Sequence, residues 1–194
     1  MCAYCQKIQT DTKFVILMHP KEFKKVKNNT GHFTHQSLPN SELYVGIDFS
    51  NHTKINEIIK THQSYILFPS EDALNITHEN PKTTHKPLAI FLIDSTWACA
   101  KPIFYKSKNL QQLPHMSFTT TQESMYEIKV QPKEGYLSTI ESTLVVLQAL
   151  KKHAIEQVSE EELVLFLQPF HKMIAYQKEL IANPLSHAVR FKKR

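Results

Sequence analysis

Three uninterrupted apolar runs constrain the fold of this chain more than any other feature of its sequence. The runs lie at residues 14–18 (FVILM), 65–68 (YILF) and 88–93 (LAIFLI). Each has the length of a β-strand, and a strand that is apolar on both faces has to be covered on both faces. This pattern is typical of a parallel sheet enclosed between helices.

Weaker signals lie between these runs. Further strands are predicted at 43–47 and, with alternating character, at 126–130. Helices are predicted at 20–27, which begins with a proline at the favoured first helical position, and at 54–60. The alternation of strands and helices predicts an α/β domain with a mostly parallel sheet flanked by helices.

The last third of the chain has a helical pattern. Ser138 is followed three residues later by Glu141, and Ser159 by Glu162, and both pairs are capping-box signatures. We therefore predict that a long helix begins close to Ser138 and that another begins at Ser159. Pro169 is predicted to divide this second segment into two helices.

The domain organisation is simple. Pro184 is predicted to end the regular structure and to leave a basic tail at 185–194, whose order or disorder stays open. The most linker-like segment, 76–87, is expected to remain inside the domain. We therefore predict one domain over 1–194, with a helical C-terminal extension and a short N-terminal segment at 1–12.

Glycine is scarce, and its scarcity excludes two classes of nucleotide site. The chain has 3 glycines, Gly31, Gly46 and Gly135. Neither the GxGxxG pattern of dinucleotide-binding domains nor the GxxxxGK[ST] pattern of P-loop proteins can be written with them. A phosphate-bearing ligand would need some other cradle.

The basic residues are nearly all lysine. The formal net charge is +5, and only Arg190 and Arg194 of the 23 basic residues are arginine. Lysine attracts phosphate as a point charge but lacks the planar fork with which arginine reads guanine. Lysines cluster at 21–27 and at 101–108, which suits a polyanion such as RNA and equally suits a solvated surface.

Cysteine usage and hydropathy bear on the compartment. The chain has 3 cysteines, no apolar signal at its start and no apolar run of the ~18 residues that span a bilayer. We therefore expect a cytoplasmic protein without membrane association. Cys2 and Cys5 form a CxxC, half of a zinc tetrahedron, but no second pair follows, so we expect no bound metal.

Polar residues follow each of the three apolar runs. They lie at 19–22, 69–72 and 94–97. Because ligands of open α/β sheets bind beyond the carboxyl ends of the strands, these segments are the candidate site. Each side chain taken singly has a structural explanation as a cap, a turn or a packing residue.

An aspartate three residues before the only tryptophan connects these segments to a known family. Asp94, Ser95, Thr96 and Trp97 resemble the signature of DTW-domain proteins. Further motifs of that family occur in the same order along the chain: His19, Pro20 and Glu22; Asn29, Thr30 and Gly31; LFPSEDA at 67–73; Leu113 and Pro114; Gln131 and Pro132; and LSTxE at 137–141.

The sequence departs from the family pattern at three places. Cys2 and Cys5 are all that remains of a longer cysteine array, so a zinc ribbon is truncated or absent. Lys129 stands where the family has arginine, which keeps the charge and loses the planar fork. Ser95 stands where glycine is frequent. None of these departures removes the core of the proposed site.

The resemblance implies a tRNA-uridine aminocarboxypropyltransferase. Such an enzyme moves the 3-amino-3-carboxypropyl group of S-adenosylmethionine to N3 of a tRNA uridine and releases methylthioadenosine. It also implies a fold similar to the SPOUT class of knotted α/β proteins, although nothing in the sequence periodicity indicates a knot. The partner is then tRNA, and we expect no obligate protein partner.

The chemistry assigns roles to two residues of the signature. Asp94 is the candidate base for the uridine N3 proton, and we expect it either to be buried beside Trp97 or to be held close to the substrate. Trp97 is expected to stack on the target base or on adenine, or to form part of the pocket wall.

The other candidate residues divide between the donor and the RNA. For S-adenosylmethionine they are Leu67, Phe68, Pro69, Ser70, Asp72, Leu92, Ile93, Thr96, Gln131, Pro132, Leu137, Ser138, Thr139 and Glu141. For the tRNA they are His19, Glu22, Asn29, Thr30, Lys24, Lys25, Lys27 and Lys129. Glu141 has an equal claim as the capping-box partner of Ser138.

Two other functions stay open. A methyltransferase of similar fold would use the same donor and expose the methyl carbon, and spacing does not fix which substituent of the sulfonium faces the acceptor. A noncatalytic RNA-binding module would bind tRNA in a salt-dependent way without forming product.

Overall fold

A computed structural model describes residues 4–25, 29–82, 84–121, 123–125 and 137–182 of the chain. In these residues one six-stranded sheet has the order β2-β1-β5-β3-β6-β4, and every pairing is parallel. The strands are β1 (Lys13–Met18), β2 (Ser41–Val45), β3 (Gln63–Leu67), β4 (Leu74–Asn75), β5 (Leu88–Asp94) and β6 (His115–Ser117). The parallel sheet predicted from the apolar runs is confirmed.

Helices cover both faces of this sheet. They are α1 (Pro20–Lys25), α2 (Thr30–Ser37), α3 (Thr53–Thr61), α4 (Trp97–Lys106), α5 (Thr139–Lys152), α6 (Glu160–Phe166) and α7 (Gln168–Ala182). The helices α2, α5, α6 and α7 pack on one face, and α3 and α4 pack on the other. The result is a three-layer α/β/α arrangement.

The apolar runs supply both cores because successive side chains of a strand point to opposite faces. In β1, Phe14 and Ile16 pack under the four-helix face, whereas Val15 and Leu17 pack under α3 and α4. All four are fully buried. This two-sided burial is the physical reason why the strands contain no polar alternation.

The C-terminal helices begin where the capping boxes predict. Ser138 is the N-cap of α5, and its backbone N–H donates to Glu141 Oε2 at 2.8 Å. Ser159 is the N-cap of α6, and its hydroxyl accepts from the backbone N–H of Glu162 at 3.1 Å. Pro169 lies in the first turn of α7, so the predicted division into two helices is confirmed.

The remaining predictions divide into three groups. The predicted helix at 54–60 is confirmed, and the predicted strand at 43–47 ends at Val45. The predicted strand at 126–130 and the end of the predicted helix at 20–27 lie outside the described residues. Helices α2 and α4 and the short strands β4 and β6 were not predicted. In the described part of the chain, no helix combines the length and apolarity that crossing a bilayer requires.

Between β1 and β5, the direction in which the connections move across the sheet reverses. From β1 it passes through α2 to β2 on one side, and from β5 it passes through α4 to β6 on the other side. The two connections also cover opposite faces of the sheet. Strand ends that diverge in this way leave a crevice at their carboxyl ends, where α/β proteins bind ligands.

Candidate active site

Asp94 ends β5 inside this crevice. It pairs with Met18 in the sheet register, and its backbone carbonyl accepts a hydrogen bond from the backbone N–H of His19 at 3.3 Å. Its side chain is buried, with 5% exposure. Asp94 is thus buried, as one of the two alternatives for the candidate base requires, and its expected position beside Trp97 stays a prediction.

Thr139 holds one oxygen of this carboxylate. It is the first residue of α5, and its hydroxyl lies 2.5 Å from Asp94 Oδ1. The contact joins the end of a central strand to the start of a helix 45 residues later in the chain. A hydroxyl that donates to a carboxylate forms one of the stronger classes of hydrogen bond and fixes the orientation of the acceptor.

Gly31 packs against the other side of the same carboxylate. It lies in the first turn of α2, and a Cβ atom at this position would stand 2.5 Å from both Cγ and Oδ2 of Asp94. Real Cβ atoms do not approach other atoms so closely, so only glycine allows α2 to come this near. The start of α2 is fixed in turn by Asn29, which accepts from the backbone N–H of His32 at 2.8 Å.

Two helix N-termini therefore meet at one buried carboxylate. Helix N-termini carry partial positive charge, which attracts anions. Gly31 lies in the first turn of α2, and Thr139 opens α5. Together they clamp Asp94 in one position at the carboxyl edge of the sheet.

Unused polar groups follow Asp94 in the chain. The buried Ser95 hydroxyl has no hydrogen-bond partner among the described residues. Thr96 is the N-cap of α4, but its side chain makes no capping bond to the helix. Buried polar atoms are nearly always partnered in native proteins, so the Ser95 hydroxyl, directly after the candidate base in the chain, is an unusual group at this edge of the sheet.

Trp97 forms part of an aromatic wall. Its ring centroid lies 5.9 Å from that of Phe68, which stacks at 4.3 Å on Phe104. His115 meets both phenylalanine rings edge-on. These contacts pack Trp97 against the core under α3 and α4, and both predicted roles, stacking on a base and forming a pocket wall, stay predictions.

Glu141 acts as the predicted capping residue and as more than that. Its carboxylate accepts from the Ser138 hydroxyl at 2.6 Å, from the Met125 backbone N–H at 2.8 Å and from the Ser124 hydroxyl at 2.9 Å. It is 5% exposed. Glu141 thus attaches the segment 123–125 to the start of α5, directly beside Thr139.

The sequence of this chain matches a known family of proteins. The sequence model of the DTW domain matches residues 1–178. The chain belongs to the DTW domain family. No solved structure was found to match this DTW domain.

Three curated relatives carry the name tRNA-uridine aminocarboxypropyltransferase 2. The Drosophila melanogaster protein is 31% identical over 172 residues, which are 86% of this chain and 64% of the relative. The Macaca fascicularis protein is 28% identical over 174 residues, 88% of this chain and 56% of the relative. The Mus musculus protein is 28% identical over 183 residues, 91% of this chain and 59% of the relative. The DTW chain therefore spans less than two thirds of the length of these relatives.

The structure brings some of the other candidate residues of the DTW domain to the carboxyl edge and takes up others in packing. His19 is buried, and its Nδ1 accepts from the backbone N–H of Lys21 at 3.1 Å. Thr30 is also buried, and Glu22 is half-buried on α1. The side chains of four candidates contribute to the cores, so they are available to a ligand chiefly through their backbone: Leu67, Phe68, Leu92 and Ile93.

The remaining candidates are exposed or undescribed. Pro69, Ser70 and Asp72 form an exposed turn after β3, and Lys24 is exposed on α1. Leu137 is half-buried before α5. The candidates at 27, 129, 131 and 132 lie outside the described residues, as does the side chain of Lys25.

Two features of this site were not predicted from the sequence. The packing role of Gly31 had a signal, since it is one of only 3 glycines and directly follows Asn29 and Thr30. The unused Ser95 hydroxyl had none, because its isolation depends on the surrounding fold. Both lie within the family motifs.

No described group of three or more His, Cys, Asp and Glu side chains is arranged to hold a metal ion. Cys5 lies 3.5 Å from the side-chain oxygen of Gln36, and Cys2 lies outside the described residues. The prediction that this DTW domain binds no zinc stays a prediction.

A separate cleft of about 300 Å³ opens at the other end of the sheet. It is lined by Lys13, Glu42, Lys54, Glu57, Ile58, Thr61 and His62. Lys13 Nζ pairs with Glu42 Oε1 at 3.1 Å. In parallel sheets, ligands bind at the carboxyl ends of the strands, and this cleft lies at the amino ends.

Proposed function

We propose that this protein transfers the 3-amino-3-carboxypropyl group of S-adenosylmethionine to N3 of a uridine in tRNA. The observation that carries the proposal is the buried Asp94 carboxylate between Gly31 and Thr139 at the crevice of the sheet. Membership of the DTW domain family and the names of the three relatives support it.

The reaction forms one bond to nitrogen and breaks one bond to sulfur. S-adenosylmethionine supplies an electrophilic carbon attached to a positively charged sulfur. As N3 of uridine bonds to that carbon, the electron pair of the broken carbon–sulfur bond stays on sulfur, and neutral methylthioadenosine leaves. The N3 proton passes to a base, for which we propose the carboxylate of Asp94.

The chain has to orient this base and align the reacting atoms. Because both sides of the carboxylate are packed, by Thr139 and by Gly31, little reorganisation is needed before reaction. Placing nucleophile, electrophile and base in line supplies a large part of the rate enhancement in such transfers. A carboxylate has about four lone-pair sites, so an oxygen that accepts a hydrogen bond can also accept a proton.

For the donor we propose the surroundings of Asp94. The turn at Pro69–Asp72 stands at the carboxyl edge, and the start of α5 presents helix N–H groups that suit a carboxylate. The unused hydroxyl of Ser95 fits a ligand with polar edges such as adenosine or an amino acid. We further propose that the whole chain acts as a single domain of SPOUT-like fold in the cytoplasm, with tRNA as its partner.

Incubation of the protein with unmodified tRNA and labelled S-adenosylmethionine tests this function. One donor carries label in the carboxyl-bearing chain and another carries it in the methyl group. We expect chain label in uridine and one methylthioadenosine released per modified uridine. Methyl label in uridine would show a methyltransferase instead, and tRNA binding without either label would show a noncatalytic binding module.

A further inference from the structure

Helix α4 carries an exposed aromatic side chain among lysines. Tyr105 is 64% exposed, among the most exposed of the described large hydrophobic side chains. Lys101 lies one helical turn before it on the same face, and Lys106 and Lys108 follow it. All three lysines are exposed, and we call these four residues the α4 surface.

The backbone under the α4 surface is held by hydrogen bonds. The Ser50 hydroxyl lies 3.1 Å from the carbonyl oxygen of Lys106 and accepts from the N–H of Lys108 at 3.0 Å. The Gln111 side chain donates to the carbonyl of Tyr105 at 3.0 Å. The surface is therefore preformed, which lowers the entropy lost when a partner docks.

The charge of the α4 surface is positive. One acidic side chain, Asp48, interacts with this surface. Hydrogen bonds from Ser50 lower the pKa of its carboxyl, and the charges of Lys106 and Lys108 lower it further. One carboxylate facing three lysines leaves a net positive surface. Such a surface attracts a polyanion, and an aromatic ring within it offers a stacking platform for an unpaired base.

The α4 surface lies beside the candidate active site. Helix α4 begins at Trp97, three residues after Asp94. Tyr105 lies eight residues further on, about 12 Å along the helix axis at 1.5 Å per residue. An RNA whose uridine enters the crevice at Asp94 has its neighbouring nucleotides within reach of this helix.

A second exposed tyrosine provides a contrast. Tyr176 on α7 is 50% exposed, and Lys172 lies one turn before it. The ammonium of Lys172, however, lies over the ring of Tyr4, at 5.6 Å from its centroid. Helix α7 also follows α6, whose first turn carries three glutamates. A tyrosine one turn after a lysine therefore recurs on α7, but there the lysine is engaged by another aromatic ring.

We propose that the α4 surface docks the tRNA beside the active site. Lys101, Lys106 and Lys108 contact backbone phosphates, and the ring of Tyr105 stacks on an unpaired base. This inference rests on the proposed function, because it takes tRNA as the substrate of the same site.

The salt dependence of tRNA binding tests the lysines. We would measure the Kd of the full chain for an unmodified tRNA transcript at several salt concentrations. The triple variant K101A/K106A/K108A is expected to reduce the slope of log K against log salt by about two, since each phosphate contact contributes roughly 0.7–0.9. The matched control K60A/K82A/K86A removes the same charge from three exposed lysines elsewhere and should leave the slope nearly unchanged.

The aromatic contact has its own test. Tyr105→Ala is expected to raise the Kd for tRNA about 5- to 100-fold, as the loss of one stacked base does. Tyr105→Phe keeps the ring and should bind like the wild type, and Tyr176→Ala is the matched control on α7.

The outcomes separate docking from function. If both triple variants reduce the slope equally, or if Tyr105→Ala binds like the wild type, the docking proposal is overturned even when label reaches uridine. If the wild type binds tRNA through the α4 surface but forms no labelled uridine, the proposed function fails and the docking proposal stands.

Discussion

The two ends of the sheet differ in the contacts and the burial of their carboxylates. At the amino end, the cleft of about 300 Å³ is open, and its Glu42 pairs with Lys13 at 3.1 Å and accepts from the Tyr44 hydroxyl. At the carboxyl end, Asp94 is buried between a glycine and a threonine hydroxyl. An open cleft is thus not by itself evidence of a chemical site.

The pKa values at the amino end fit this contrast. Partial burial acts to raise the pKa of Glu42, but hydrogen bonds from Tyr44 and Lys13 outweigh it and lower the pKa. Burial and the neighbouring carboxylate raise the pKa of Tyr44. The contacts around a carboxylate therefore identify a functional site better than the presence of a cleft does.

The largest expected effect comes from replacing the carboxylate of Asp94 by an amide, with the same replacement at Glu42 as the control. Asp94→Asn should lower transfer to tRNA about 10²- to 10⁴-fold, because general-base catalysis contributes that much. Glu42→Gln is the control at the amino end and should leave transfer unchanged. Initial rates at saturating donor, with circular dichroism to verify folding, measure both. Equal rates for folded Asp94→Asn and the wild type would show that Asp94 is not the base.

A smaller effect is expected from filling the space beside the carboxylate. Gly31→Ala places a Cβ 2.5 Å from Asp94 Oδ2, so the carboxylate or α2 has to move. A displacement of about 1 Å costs up to roughly 100-fold in rate, and we expect a loss in kcat of that order.

The control for this substitution is the other described glycine. A Cβ at Gly46 would lie 2.9 Å from the ring of Phe49, which belongs to the core under α3 and α4, and would not meet the Asp94 carboxylate. Gly46→Ala is expected to lower the melting temperature while kcat stays near the wild-type value. A parallel loss of kcat in both variants would mean that general destabilisation, and not the position of Asp94, explains the effect.

Removing one hydrogen bond should have an intermediate effect. Thr139→Val deletes the hydroxyl that lies 2.5 Å from Asp94 Oδ1, and we expect kcat/KM to fall about tenfold, the weight of a bond to a charged group. Thr139→Ser keeps the hydroxyl and should restore most of the activity. If serine and valine at this position behave alike, the hydroxyl does not position Asp94.

The smallest effect concerns pH and stability at the amino end. Because the pKa of Glu42 is lowered on folding, its contribution to stability is present at neutral pH and is lost as the pH falls below the unfolded value of about 4.3 and through the folded pKa. The half-exposed pair is worth at most about 1 kcal/mol. Thermal unfolding of the wild type and Glu42→Gln should therefore differ at pH 7 and converge at pH 3; a difference that grows in acid would contradict this assignment.

Much of the fold was predictable because burial leaves a trace in the sequence. Strands buried on both faces require unbroken apolar runs, and helices that start at Ser138 and Ser159 show their capping boxes. Helix α4 leaves no such trace, since Pro102 stands inside it and disfavours the helix locally. Its Ile103 and Phe104 are buried under the sheet, so tertiary packing overrides the local preference.

The site was predictable in its parts and not in its arrangement. The position of Asp94 at a strand end and the family motifs around it follow from the sequence alone. The meeting of Gly31, Asp94 and Thr139 does not, because three segments far apart in the chain come together only through the order of the strands. The two bonds from Ser124 and Met125 to Glu141 are equally long-range and carry no local signal.

The central place of β5 also affects how the protein is made. In the described sheet β1 meets β3 only through β5, which pairs with both. A ribosome that has released the first 80 residues has produced the pair β1 and β2, while β3 and β4 still lack their partners β5 and β6. Parallel strands that join distant segments assemble slowly and expose apolar edges while they wait. Since Asp94 is the last residue of that strand, the nascent chain acquires its candidate base together with the strand that joins β1 to β3.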